Sequence, residues 1–350
     1  MDQEKIKVGI THGDINGIGY EIILKTLMDN RITEFCVPVV YGSAKVAAYH
    51  RKALDIKNFN LNIIKDASMA NPNKPHVINC LDENIRVELG KSVVSAGKAS
   101  VQALDKAVED LKKGKIDVLV TAPINKENIQ AENFNFPGHT EYLMEHFQAD
   151  EVLMLMVSDV MKIGVVTGHL SLRQVPEVLT QDLILRKLNI LNKSLLQDFK
   201  IRKPRIAVFG LNPHASDGGL LGKEENDIII PAIQRAKESN IMAFGPYPAD
   251  GFFGSRNLRK FDAILAMYHD QGLAPFKAIS FDEGVNYTAG LNIVRTSPAH
   301  GTAYELAGKN EASPASFRNA LFLALDIYKN RKEYEELSSS PLESQDKSDI

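Results

Sequence analysis

The stretch EVLMLMVSDVMKIGVVTGH, residues 151–169, decides the fold class. It holds two apolar runs of strand length, LMLMV and IGVV, with only a few residues between them. A connection that short admits no helical crossover, so the two strands must run antiparallel. Outward from this point the pattern changes. Short β-rich apolar runs alternate with longer helical ones. IKVGITHGD (6–14) reads as a strand feeding a turn, and GIGYEIILKTLMDN (17–30) as the helix after it. CVPVVYGS (36–43) reads as a strand and AKVAAYHRKAL (44–54) as a helix. SAGKASVQALDKAVEDLKKGK (95–115) has apolar residues at helical spacing with charges elsewhere, and IDVLVTAP (116–123) returns to a strand. PRIAVFGLNPH (204–214) and DAILAMYHD (262–270) are later strands. Alternation of this kind predicts an α/β protein with helices covering parallel strands. The antiparallel pair makes a mixed, mostly parallel sheet the expectation, spread over two lobes.

Several classes are disfavoured by composition. With 41 Lys and Arg against 44 Asp and Glu, the formal charge of −3 gives no global attraction to nucleic acid or an anionic membrane. The start, MDQEKIKVGITHGD, lacks an apolar core behind a basic segment, and no apolar stretch approaches the ~20 residues of a membrane helix. A cytoplasmic chain is expected. Its two cysteines, Cys36 and Cys80, lack metal-ligand spacing and read as reduced, packed thiols.

In open α/β sheets ligands collect beyond the carboxyl ends of strands. Three histidines follow that rule: His169 after GVVTG, His214 after IAVFGLNP, and His269 after AILAMY. One histidine so placed is commonly a hydrogen-bonded loop residue. Three in equivalent positions suggest a shared divalent metal, with open positions for substrate. Asp270, next to His269, is a general base, an orienting carboxylate or a helix-capping residue. Asp250 in GPYPAD is a turn residue or a proton-transfer group.

A second set points to an anion. In FPGHTEYL, His139 and Thr140 stand at the expected start of a helix, where free backbone N–H groups favour phosphate or carboxylate. Plain capping by Thr140 is the alternative. Lys277, Asn286 and Arg295 occur in apolar, glycine-rich segments, which suits binding better than solvation. GDINGIGYE has glycines at 13, 17 and 19, so the dinucleotide fingerprint G-x-G-x-x-G is not met.

From about Lys7 to about Tyr328 the chain resembles the 4-hydroxythreonine-4-phosphate dehydrogenases of vitamin B6 (pyridoxine) biosynthesis. The landmarks are GDINGIGYE, TAPINK, FPGHTEYL, TGHLSL, NPHASDGGLLGKEE, GPYPAD, YHDQGLAPFK and VRTSPAHGTAYELAGK, in that order. The resemblance implies a fold of the isocitrate/isopropylmalate dehydrogenase type: two α/β/α lobes flanking a cleft, with the chain ends in one lobe, paired as a homodimer. Residues 1–334 would form one catalytic unit and 335–350 a disordered tail.

By motif, His169, His214 and His269 match metal ligands shared between subunits, for zinc, cobalt or magnesium. His139, Thr140, Lys277, Asn286 and Arg295 match substrate-binding residues. Asp250 and Asp270 match acids of the catalytic pocket, with Asp270 or Lys277 as base. His300, Gly301 and Thr302 become candidates for an NAD or NADP site by fold analogy. The implied reaction oxidises 4-phosphooxy-L-threonine at C3 to 2-amino-3-oxo-4-(phosphooxy)butanoate, which decarboxylates to 3-amino-2-oxopropyl phosphate. A sister dehydrogenase acting on 4-phosphothreonate or 4-phosphoerythronate is the near alternative; a metal-dependent hydrolase is the remote one. Departures fall at the turn and the cofactor loop. The family's D-P-A-G-I-G-P-E is here Asp14-Ile15-Asn16-Gly17-Ile18-Gly19-Tyr20-Glu21, Ala299 stands where Asp is frequent, and Asn292 replaces a common Pro. They leave NAD against NADP open.

Overall fold

The two runs of 151–169 pair antiparallel, with Leu155 opposite Gly164 and Met156 opposite Ile163. They sit in the middle of a twelve-stranded sheet. The computed structural model describes residues 5–130 and 134–339. In chain order the strands are β1 (Ile6–Thr11), β2 (Cys36–Gly42), β3 (Asn62–Ile64), β4 (His76–Asn79), β5 (Val118–Thr121) and β6 (Leu153–Val157). They continue as β7 (Lys162–Thr167), β8 (Arg205–Phe209), β9 (Met242–Tyr247), β10 (Ala263–Tyr268), β11 (Val285–Ala289) and β12 (Arg295–Pro298). Their spatial order is β3-β4-β2-β1-β5-β12-β11-β6-β7-β10-β8-β9.

The ladders joining β12, β11, β6 and β7 are antiparallel, and every other ladder is parallel. The mixed, mostly parallel α/β sheet expected from the alternation is therefore present, as one sheet running through both halves of the chain. Inner strands covered on both faces need continuous apolar sequence. Val8, Ile10, Val118, Val120, Leu153, Leu155, Leu265 and Met267 supply it and are buried.

The helix Ala315–Ser339 packs on β12, β11 and β5. Its buried residues Phe317, Ala320, Leu321, Ala324 and Leu325 recur at three- and four-residue spacing, one helical stripe. This helix corrects the expected tail. It runs past Glu335 to Ser339, because residues of good helix propensity extend an existing helix without needing burial. The rest of the expected tail, 340–350, lies outside the described residues. Among the described residues no helix is long and apolar enough to cross a membrane. Cys36 and Cys80 are free thiols, and burial pushes each up to about 12.

Candidate active site

Strands β7, β10 and β8 are parallel neighbours, so their carboxyl ends share one edge of the sheet. His169 lies two residues beyond β7, and His269 opens the helix His269–Ser280 directly after β10. Their ring centroids are 5.7 Å apart. His269 donates from Nδ1 to Asp270 Oδ1 at 2.7 Å, which orients the ring and leaves Nε2 free as a donor to a metal. Lys126 Nζ lies 3.3 Å from His169 Nε2. Burial lowers the proton affinity of His169; Lys126 and His269 lower it further, against the field of Glu141.

His214 reaches the same edge but not the same place. It is exposed, five residues past β8, in a run of left-handed backbone from His214 (φ 54) to Gly218 (φ 70). Among the described residues no three His, Cys, Asp or Glu side chains converge closely enough to hold a metal ion. Asp250 is exposed in the short helix Ala249–Phe253, and the Asp270 side chain is 81% exposed; neither lines the cavity below.

That cavity, about 350 Å³, collects most of the other candidates: His139, Thr140, His169, His269, Lys277, Asn286, Arg295, His300 and Gly301. Thr302 lies just beyond, its carbonyl accepting from Ile18 N at 3.0 Å. Lys126 and Glu141 also line the cavity, and sequence reasoning singled out neither. TAPINK and FPGHTEYL contain them, and the signal available was position: each follows a strand end or helix start already assigned to the site.

Arg295 begins β12 in the centre of the sheet and is 4% exposed. Its Nε and Nη2 donate to Thr121 Oγ1 at 3.1 and 2.6 Å, and its Nη1 to Thr288 Oγ1 at 3.1 Å. Both partners are neutral, and no carboxylate in the described residues pairs with it. Burial pushes its pKa down to about 10, with Glu141 opposing. A buried cation without a counter-charge is costly, and an anionic ligand in the cavity would relieve it.

The helix His139–His146 starts beside it. Its N-cap is Gly138, which offers no side chain, so the first-turn N–H groups stay open to a ligand and Thr140 is not the cap. His139 is held well below its ordinary value by burial, then by Arg295 and Lys126, so it is neutral. Asn286 Oδ1 and His300 Nε2 are buried without a hydrogen-bond partner among the described residues. Positive charge, free N–H groups and unpaired polar atoms thus meet the His169 and His269 imidazoles in one cleft.

Residues 34–324 match the family described as pyridoxal phosphate biosynthetic protein PdxA. The chain belongs to this family. The 4-hydroxythreonine-4-phosphate dehydrogenase of Bacteroides thetaiotaomicron is 53% identical, over 99% of this chain and 95% of that protein. An Oceanobacillus iheyensis member, provisionally named D-threonate 4-phosphate dehydrogenase, is 37% identical over 91% of this chain and 97% of its own length. The crystal structure of 4-hydroxythreonine-4-phosphate dehydrogenase from Klebsiella pneumoniae superimposes with a TM-score of 0.80 at 32% identity, covering 93% of this chain and all of that one (100%). This member of the PdxA family is accordingly a dehydrogenase of pyridoxal phosphate biosynthesis.

Proposed function

We propose that the protein oxidises 4-phosphooxy-L-threonine at C3 with NAD or NADP, giving a β-keto acid that decarboxylates to 3-amino-2-oxopropyl phosphate. The observation that carries this reading is Arg295, buried with hydroxyl partners alone and facing a cavity beside an open helix start. Such a site suits a ligand with phosphate and carboxylate groups.

The donor set fits a divalent metal. His169 and His269 present imidazoles 5.7 Å apart, and Asp270 orients the second. With no third ligand converging among the described residues of one copy, His214 of a second copy would be the third donor. Exposed leucines support an interface at both places: Leu170 and Leu172 beside His169, Leu220 and Leu221 beside His214. Zinc or cobalt suits three imidazoles best on ligand softness, with magnesium the harder alternative. The ion's chemical contribution would be Lewis-acid polarisation at the substrate hydroxyl, and the nicotinamide's would be acceptance of hydride.

Within the cleft, Arg295 and the first turn of the His139–His146 helix would bind and orient the anionic groups, with Lys277 on the same wall. Asn286 Oδ1 and His300 Nε2 would take hydrogen bonds that they lack now. Of the two candidate bases, Lys277 lines the cavity and Asp270 does not. Lys277 Nζ is therefore assigned the C3 hydroxyl proton, and Asp270 the orientation of His269. Asp250, outside the cavity of one copy, is left to the completed dimer. For the cofactor, the candidates are His300 and Gly301 on the wall and Thr302 just beyond it, beside the turn after β1.

The Oceanobacillus relative favours a second reading, a sister enzyme for 4-phosphothreonate or 4-phosphoerythronate. The test follows reduced nicotinamide with each substrate and each cofactor, with and without a chelator. Turnover of 4-phosphooxy-L-threonine that stops on chelation is expected. Turnover of the hydroxy acids alone would establish the second reading, and full activity after metal removal would overturn the metal site.

A further inference from the structure

Between β11 and β12 the chain turns through residues 290–294, and the guanidinium of Arg331 holds that turn. Its Nη1 donates to the Leu291 and Ile293 carbonyls at 3.1 and 3.2 Å. Its Nη2 donates to the Tyr287 hydroxyl in β11 at 2.7 Å, and its Nε to Asp198 Oδ1 at 2.7 Å. Asp198 follows the helix Gln181–Gln197, and its Oδ2 accepts from the Tyr287 hydroxyl at 2.6 Å and from Ser194 Oγ at 2.7 Å. One side chain of the helix Ala315–Ser339 thus binds the hairpin and a carboxylate beside a second helix. Asp198 and Tyr287 are buried, and Arg331 is mostly so. The turn itself is loose: Gly290 takes φ 97, and no proline stiffens GLNIV.

Side chains alternate across a strand, so Tyr287 faces the clamp while Asn286 and Thr288 face the other way. Asn286 lines the substrate cavity, and Thr288 Oγ1 accepts from Arg295 Nη1 at 3.1 Å. Arg295 itself starts β12 two residues after Ile293. The hairpin therefore carries the clamp on one face and the anion-facing groups on the other, although Arg331, Asp198 and Tyr287 do not line the cavity. We propose that Arg331, with Asp198 and Tyr287, is a positioning residue: it fixes the β11–β12 hairpin so that Arg295 and Asn286 meet the anionic part of the substrate. This inference rests on the functional reading above and deepens it.

A role in stability alone is the competing account, because breaking a buried charge pair weakens a fold whatever it positions. Substrate affinity and melting separate the two. Arg331→Lys keeps a charge beside Asp198, but an ammonium cannot hold the carbonyls, the hydroxyl and the carboxylate together. Tyr287→Phe removes one hydroxyl and leaves the charge pair. Tyr41→Phe is the control. Tyr41 is buried and its hydroxyl donates to Asp110 Oδ2 at 2.9 Å, a bond of the same kind on a strand separated from β12 by β1 and β5.

Each metal-loaded variant is assayed for turnover, titrated calorimetrically with inorganic phosphate, and melted. KM for 4-phosphooxy-L-threonine and Kd for phosphate should rise about 10-fold in Arg331→Lys and about 3-fold in Tyr287→Phe. kcat and KM for the nicotinamide cofactor should stay within about 2-fold of wild type. Tyr41→Phe should lower Tm and leave both substrate KM and phosphate Kd unchanged. Lower Tm with wild-type KM and phosphate affinity in the two clamp variants would overturn the proposal. If Arg331→Lys does not fold, Tyr287→Phe carries the same decision. Should wild type bind phosphate yet leave 4-phosphooxy-L-threonine unoxidised, the functional reading fails, and the phosphate affinities still decide the role of Arg331. A wild type that binds no phosphate would overturn that role too.

Discussion

The Tyr304 hydroxyl donates to Asp14 Oδ2 at 2.8 Å, tying the loop after β12 to the glycine turn after β1. Asn128 Nδ2 donates to the same oxygen at 2.7 Å, and Asp14 Oδ1 accepts from Asn16 N at 2.8 Å. The fit is close: a Cβ on Gly17 would come within 2.7 Å of the Thr302 carbonyl oxygen, so the turn needs glycine there. Burial and the Asp14 carboxylate push Tyr304 up to about 12, keeping it a donor at any working pH.

Tyr304→Phe should loosen the His300–Thr302 wall without dismantling the fold. A hydrogen bond to a carboxylate contributes about 1.5 kcal/mol or more, so KM for the nicotinamide cofactor should rise roughly 10-fold while kcat changes less. Cofactor titration in the absence of substrate checks this directly. An unchanged cofactor affinity would remove the loop from the cofactor site.

Arg295→Lys should not behave as a conservative change. The guanidinium spans Thr121 and Thr288 with three donors, a geometry that an ammonium cannot reproduce. KM for the phosphorylated substrate should rise by about 10- to 100-fold, with Arg295→Met worse still. Protection of the protein against heat by inorganic phosphate should disappear in both variants. Retention of that protection would place the anion elsewhere.

The parts legible in the sequence were those where one residue type dominates a run. The strands preceding the three histidines are buried, continuous apolar segments, so their ends, and the edge they share, could be read directly. β3, β4, β9, β11 and β12 were not read. β12 is Arg-Thr-Ser-Pro, buried because neighbours flank it and not because it is apolar, so periodicity is silent there. That is why Arg295 was recognisable as a binding residue while its place at the centre of the sheet was not. Lys126 and Glu141 were missed for a related reason: one cavity wall is assembled from segments more than a hundred residues apart. His214 was read as ending its strand, whereas its left-handed loop carries it away from the other two rings.

Acid should destabilise the fold through His12 and His50. Both are buried and stack on Tyr20, with ring centroids 5.2 and 5.1 Å from it. Burial pushes each down from 6.5 to about 4. Between those values the unfolded chain binds more protons than the folded one, so stability present above pH 6.5 is lost as pH falls toward 4. Each histidine should account for roughly 3 kcal/mol at the acid end. Urea titrations at a series of pH values should show the slope, and His50→Gln should reduce it. A wild-type stability flat across this window would contradict the burial of the neutral rings.

The His214 loop supplies the last prediction. Four successive non-glycine residues, His214 to Asp217, have φ between 46 and 68, and such backbone costs roughly 1–2 kcal/mol per residue. Something must hold it. Glu225 is 1% exposed, and its Oε1 accepts from Leu211 N and Asn212 N, each at 2.7 Å, while its Oε2 accepts from Asn212 Nδ2 at 2.9 Å. These bonds fix the chain just before the strained run, so the orientation of His214 depends on a carboxylate that does not line the cavity. Glu225→Gln offers only one acceptor oxygen and should release part of that strain into alternative loop conformations. Metal affinity should fall by about 10- to 100-fold, as for other outer partners of ligating histidines, while cofactor affinity holds. Titration of metal-stripped protein measures the first and a binding assay the second. Saturating metal should restore most of kcat in Glu225→Gln but not in His214→Ala, because the first variant misplaces the imidazole and the second removes it. Wild-type metal affinity in Glu225→Gln would overturn this role for Glu225.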